Sequence, residues 1–425
     1  MGKKAIILGA GFAGLQVARR LTGSGFETVL IDQYNYHQFQ PLFYQVATAR
    51  LEPSSVSFPL RKVFQKKKDI HVRIAKVTEV RPGENMVVTD EGNFRYDYLV
   101  IATGCSTNFF GNKNFERYAF PMKSTTDAIA LRNRILTNFE DALSAAPGEL
   151  EGIMNMVVVG GGPTGVELAG SLAEMKKFVL PKDYPDMDFS KLSIYLVEGM
   201  GHTLQNMCVP SQKKSQQYLE RMGVNILLNT QVKDYDGKEL VLSNGRVIQT
   251  RNMIWTAGIT GNVPRGIPAN KIVKGGRIKV DAFNRLPGSD NIFAIGDIAY
   301  METKNFPSGH PQLANVAINQ AKNLATNLKL LQKGRNLVEF HYRNPGTMAT
   351  VGKHKAVVDL PFFSFQGRLA WFAWMFLHLM LILSVRNKLM IFINWAISYF
   401  TNDTTLRLIL LPTRKQVEMA EEKIT

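Results

Sequence analysis

Two stretches of this chain carry three glycines at one spacing: Gly9, Gly11 and Gly14 in ILGAGFAGLQVARR, and Gly160, Gly162 and Gly165 in VVVGGGPTGVELAG. Each set follows an apolar run, KKAIILG or MNMVVVG, and opens a helix-like run. In such a turn the first glycine makes the tight bend, the second lets backbone approach a pyrophosphate, and the third lets helix pack on strand. The free N–H groups at the helix start then offer hydrogen bonds to an anion. A lone GxGxxG is a weak sign, since glycine also simply joins strands to helices. Two acids strengthen this pair: Asp32 ends ETVLID and Glu198 ends LSIYLVE, each placed to bind an adenosine ribose. A carboxylate at Glu198 also repels a 2′-phosphate, which favours NADH over NADPH. EMKKFVLPKDYPDMDFSKL puts Glu198 further from its turn than the usual ~20 residues, as an inserted segment would.

Two dinucleotide sites suggest two cofactors, an electron carrier that stays and one that comes and goes. NIFAIGDIA supports this, because an apolar strand delivers Gly296 and Asp297 to a turn. Here the chain resembles the two-dinucleotide-domain flavoprotein disulfide reductase superfamily. The resemblance implies that YLVIATG, ending at Gly104, closes the first nucleotide region. It further implies that Asp297 contacts the ribityl–phosphate part of a flavin, that the first turn holds FAD tightly, and that the second binds NADH. Turn capping is the other reading of Asp297.

The likeness sharpens to type II NADH:quinone oxidoreductase over YNYHQFQPLFYQVATA, GGGPTGVELAGSLAEM, IWTAG (ending at Gly258), IFAIGDIA and MATVGKHKAVVD. It implies an NADH:quinone oxidoreductase that pumps no protons. Cys105 and Cys208 stand far apart, so the paired cysteines that disulfide and sulfide chemistry need are absent. No metal site is expected. Glu167 matches the family glutamate near both nicotinamide and quinone, as proton source or nicotinamide holder; a carboxylate serving the first-turn helix dipole is the bland alternative. On the quinone side the family pattern is Ala-Gln and Gln-Gln. HPQLANVAINQA instead reads Ala314-Asn315 and Asn319-Gln320, with the shorter amides 315 and 319 on one helical face. That face could equally be a polar seam.

The elements that must position these residues form an α/β chain with two Rossmann-like dinucleotide-binding domains and a C-terminal region of amphipathic, membrane-associating helices. A length of 425 residues is too long for one ordinary core. The motifs divide it into 1–115 and 259–345 for FAD, 116–258 for NADH, and 346–425 for the membrane region. Only the polar tail Thr413 to Thr425 reads as disordered. MGKKAIILGAGF turns too soon for a signal sequence, which places the protein on the cytoplasmic side.

The net charge of +16 suits an anionic partner, nucleic acid or the cytoplasmic face of a membrane, or serves solubility alone. LAWFAWMFLHLMLILSV, Leu369 to Val385, has no Asp, Glu, Lys or Arg, yet its 17 residues reach only about 26 Å against a hydrocarbon core of about 30 Å. A span would also strand Arg386, Lys388, Arg407, Arg414 and Lys415 outside. Trp371, Trp374, Trp395 and Tyr399 read as interfacial anchors on two helices in the cytoplasmic leaflet, binding anionic lipid and no nucleic acid. The same helices could form a dimer interface, and a homodimer is expected. A soluble flavin reductase of a protein carrier is the competing function, with a redox-responsive binding protein behind it.

Overall fold

The computed structural model describes residues 2–404 and 406–411, so the tail from Thr413, with Arg414 and Lys415, lies outside the described residues. The helices nearest the candidate sites are α1 (Phe12–Leu21), α2 (Phe43–Ala47), α3 (Pro163–Glu174), α4 (Ala314–Gln332), α5 (Arg368–Leu381) and α6 (Val385–Thr401). The chain divides into two compact units, interleaved in sequence. One comprises Met1–Gln38, Ser57–Asn108 and Ile259–Asn344; the other comprises Phe39–Val56, Phe109–Gly258 and Pro345–Thr425.

A five-stranded parallel sheet forms the first unit's core, in the order Ile292–Ala294, Tyr98–Ile101, Lys4–Leu8, Glu27–Asp32, Ile70–Ile74. Its central strands are apolar without alternation because both faces are covered. The strand before the first glycine turn lies in the middle, with Leu8 opposite Ile31 on one side and Ile101 on the other. α1 and α4 pack together.

The second unit repeats this plan. Its parallel sheet runs Phe120–Pro121, Asn252–Trp255, Asn155–Val159, Ser193–Val197, Val224–Leu227, and the strand before the second glycine turn is again central. The long segment before Glu198 is largely helical: α3 runs on through a π-turn at Met175–Val179 into Leu180–Asp183. An antiparallel sheet of Thr347–Thr350, Ala356–Asp359 and Ser364–Gly367 follows later and leads into α5 and α6.

The apolar run from Leu369 does not form one helix. α5 ends at Leu381, and Ser384 caps α6 by accepting from the Asn387 N–H. Among the described residues no helix is long and apolar enough to cross a membrane. The three tryptophans correct an expectation. Trp371, Trp374 and Trp395 are buried, while Leu369, Phe376, Leu389 and Phe392 are exposed. Helical spacing puts the indoles on one stripe and the smoother Leu and Phe side chains on the other. Burial also gives the Trp395 indole N–H an acceptor that lipid would not supply, Gln45 Oε1.

Candidate functional site

The two glycine turns are near copies. Gly9 and Gly160 both sit at positive φ, +95° and +109°, where a side chain would be strained. A Cβ on Gly14 would lie 1.9 Å from the Gly9 carbonyl oxygen, and one on Gly165 would lie 1.9 Å from that of Gly160, so each third glycine is what lets helix meet strand. Gly11 and Gly162 differ in kind. Each precedes the first residue of its helix with φ near −70°, open to any residue, and a Cβ there would meet nothing within 4 Å. What these glycines keep is empty space in front of uncapped helix N–H groups, the space a pyrophosphate requires.

The acids match as well. Asp32 Oδ2 accepts the Ala10 N–H at 2.6 Å, and Glu198 Oε2 accepts the Gly161 N–H at 2.6 Å. Asp32 also accepts from Tyr34 N (2.8 Å) and Glu198 from Met200 N (2.7 Å), so each carboxylate is fixed at the rim of its turn. Burial raises the Asp32 pKa, against the two backbone donors. Gly104 and Gly258 follow the strands that flank the central ones, Tyr98–Ile101 and Asn252–Trp255.

The first turn meets a further wall. A Cβ on Gly296 would lie 3.1 Å from the Ala13 Cβ at the start of α1. The next residue, Asp297, accepts from Cys105 Sγ at 3.0 Å, and its carbonyl accepts from Gln312 Nε2 at 3.0 Å. The polar residues near the start of α4 divide. Gln320 is buried and its Oε1 accepts the Gly296 N–H at 2.8 Å, while Asn319 Nδ2 donates to the Asn315 carbonyl at 2.9 Å. Ala314 opens the helix. Asn315 and Asn319 therefore share a half-buried face, and Gln320 is turned to the Gly296–Asp297 corner.

Glu167 is not a first-turn carboxylate. α3 begins at Pro163, so Glu167 is its fifth residue, and only 7% of it is exposed. Burial pushes its pKa up to about 8, opposed by the Thr350 N–H (3.3 Å to Oε1), the Thr350 hydroxyl (3.4 Å to Oε1) and the nearby Trp374 indole. A carboxyl so tuned keeps a proton near neutral pH and can give it up.

Beside Thr350 lie residues that the sequence did not assign to this site. The Tyr44 hydroxyl is 3.0 Å from Thr350 Oγ1, Gln45 Nε2 donates to Tyr44 at 2.9 Å, and Trp395 Nε1 donates to Gln45 Oε1 at 2.7 Å. Two turns of helix further on, Glu174 pairs with Arg50 and accepts the Lys353 N–H at 2.5 Å. The Lys353 ammonium reaches the end of α6, donating to the Ser398 and Tyr399 carbonyls and to Asn402 Oδ1. Tyr44, Gln45, Arg50, Lys353, Trp374, Trp395 and Tyr399 line a recess. Motifs already quoted contain several of them, but nothing in their spacing says that Gln45 and Trp395 meet.

A profile of the pyridine nucleotide-disulphide oxidoreductase family matches residues 3–321, and one of the NDH2 C-terminal domain matches 345–402. A type II NADH:quinone oxidoreductase of Mycobacterium tuberculosis is 32% identical over 94% of this chain and 88% of its own length. One from Staphylococcus aureus is 28% identical over 84% and 89%. In fold, the chain is similar to NDH2 of Plasmodium falciparum solved with NADH (TM-score 0.88, 22% identity, 97% of this chain and 100% of that one). The sulfide:quinone oxidoreductase of Aquifex aeolicus is less similar (TM-score 0.73, 19% identity, 97% and 96%). Two nucleotide cradles in one chain are thus joined by family matches over nearly its full length: the chain belongs to the pyridine nucleotide-disulphide oxidoreductases and, within them, to the type II NADH:quinone oxidoreductases.

Proposed function

We propose that this chain is a monotopic membrane flavoprotein that oxidises NADH and passes two electrons to a membrane quinone without pumping protons. The observation that carries the reading is the duplicated cradle, with open space at Gly11 and Gly162 and a fixed carboxylate beside each. FAD belongs in the first, because the Gly296–Asp297 corner walls that cradle and suits a cofactor that stays. NADH visits the second. Residues 1–115 and 259–345 then serve FAD, 116–258 serve NADH, and 346–425 serve the membrane.

Bound FAD supplies hydride acceptance and two-electron release, and the protein supplies orientation and protons. Gly9, Gly11, Gly14, Gly104, Asp32 and Asp297 hold the flavin nucleotide. Gly160, Gly162, Gly165, Glu198 and Gly258 orient NADH, and the Glu198 carboxylate disfavours a 2′-phosphate. Glu167 holds a proton for the reduced quinone, and the half-buried face of Ala314, Asn315 and Asn319, with Gln320 behind it, lies toward the quinone.

The exposed apolar faces of α5 and α6, with the excess of basic residues, suit the anionic cytoplasmic surface of a membrane. Homodimer formation is compatible with the same surface.

Substituting the two space-keeping glycines tests the assignment, since neither alanine strains the backbone. Gly11→Ala is expected to fold yet purify without flavin. Gly162→Ala is expected to keep its flavin while NADH bleaches the flavin band only at concentrations raised tenfold or more. The opposite pattern would exchange the two sites. Bleaching by NADH with no return of the band on adding a soluble quinone would instead favour a protein acceptor.

A further inference from the structure

We propose that Tyr44 and Thr350 form a directed proton relay that refills Glu167 from the recess, and that Gln45 and Trp395 are the positioning residues that fix its direction. The proposal rests on the reading of Glu167 as proton donor to the quinone.

Direction follows from donor and acceptor chemistry. An indole nitrogen only donates, so the Gln45 atom 2.7 Å from Trp395 Nε1 is the amide oxygen, and the amide NH2 faces Tyr44. The Tyr44 oxygen therefore accepts from Gln45, leaving the phenolic hydrogen for Thr350 Oγ1 at 3.0 Å. Thr350 Oγ1, having accepted from Tyr44, directs its own hydrogen to Glu167 Oε1 at 3.4 Å. The Thr350 N–H is given to the same oxygen. Four successive donors thus point one way, from α6 toward the carboxyl.

Position explains why a relay is needed. Glu167 is not among the residues that line the recess, whereas Tyr44 and Gln45 are. The surrounding charges are committed elsewhere: Arg50 to Glu174, and Lys353 to the end of α6. Burial lowers the pKa of His354 and pushes that of His378 down to about 4.

The step balances without electrons. Once Glu167 has given up its proton, its carboxylate takes the Thr350 hydroxyl proton, Thr350 takes that of Tyr44, and Tyr44 takes one from water in the recess. One O–H bond breaks and one forms at each hydroxyl, for a net gain of one proton at Glu167. Because burial also pushes the Tyr44 pKa far up, the hops move together and no free phenolate forms.

A relay that refills is needed between turnovers, not for the first one, and this separates it from a structural role. The full-length, flavin-loaded, detergent-extracted protein is reduced anaerobically with one equivalent of NADH at pH 6.5, where Glu167 starts protonated, and then mixed with a soluble quinone. Steady-state turnover is measured on the same samples. Thr350→Val and Tyr44→Phe are expected to keep the first-turnover return of the flavin band but to lose about tenfold in kcat, with a larger solvent deuterium isotope effect. Thr350→Ser should restore kcat, and Trp395→Phe, which frees the Gln45 amide to flip, should fall between.

Unchanged kcat in both Thr350→Val and Tyr44→Phe overturns the relay, and so does an equal loss in the first turnover and in kcat. Glu167→Gln tells the two layers apart. If it slows the first return while Thr350→Val leaves kcat intact, the relay alone falls. If it leaves the first return untouched, the reading of Glu167 falls and takes the relay with it.

Discussion

Glu167 binds its proton more tightly in the folded chain than in the unfolded one, and stability therefore depends on pH with a definite sign. Below its usual value of 4.5 both states are protonated; between 4.5 and about 8 the unfolded chain ionises while the folded one does not, so stability falls as pH rises through that window. Glu167→Gln removes the dependence. Thermal scans should show the variant gaining several °C on the wild type between pH 5 and pH 8.5, since each pH unit crossed inside the window costs the wild type about 1.4 kcal/mol. Parallel melting curves would contradict the burial described here. A glutamate two places after a third glycine could be picked out from sequence. Its environment could not, because it is made by Thr350, 183 residues away.

At the scale of the element, α6 is held at its C-terminal end by one buried ammonium. Lys353→Met keeps the apolar stem but removes three hydrogen bonds from the last turn, at a cost of roughly 2–3 kcal/mol. Hydrogen exchange across residues 395–402 should quicken by tenfold or more while the two parallel sheets stay protected; protection that is unchanged at the helix end would remove Lys353 from this role. Breaking the buried Arg50–Glu174 pair is expected to cost more. Glu174→Ala leaves an uncompensated guanidinium, with a loss of about 3–5 kcal/mol measurable by denaturant unfolding. The pattern of aromatic and apolar residues made helices at both places legible, but not which face of each turned inward. That depended on Gln45, a distant partner for the Trp395 indole.

For the whole molecule, the exposed apolar faces of α5 and α6 depart from an ordinary soluble surface: Phe376 is 64% and Val385 82% exposed. Phe376→Asp combined with Phe392→Asp should reduce co-sedimentation with vesicles containing anionic lipid by at least tenfold and leave NADH-driven bleaching in detergent intact. Binding that survives both changes would move the contact elsewhere. The two parallel sheets were readable because the strands AIIL and MVVV are uniformly apolar and end in glycine turns. The interleaving of the units was not, since Phe39–Val56 carries no mark of belonging with a segment that resumes only at Phe109. The twin cradles also set a sorting problem. FAD and NADH share an adenosine diphosphate half, and the two turns offer it nearly the same bend, space and carboxylate. A newly folded chain therefore has two docks for one key, and discrimination falls to whatever lies beyond the pyrophosphate. Until flavin fills the first dock, abundant nucleotides compete for it, so excess ADP should slow the loading of FAD into freshly refolded protein.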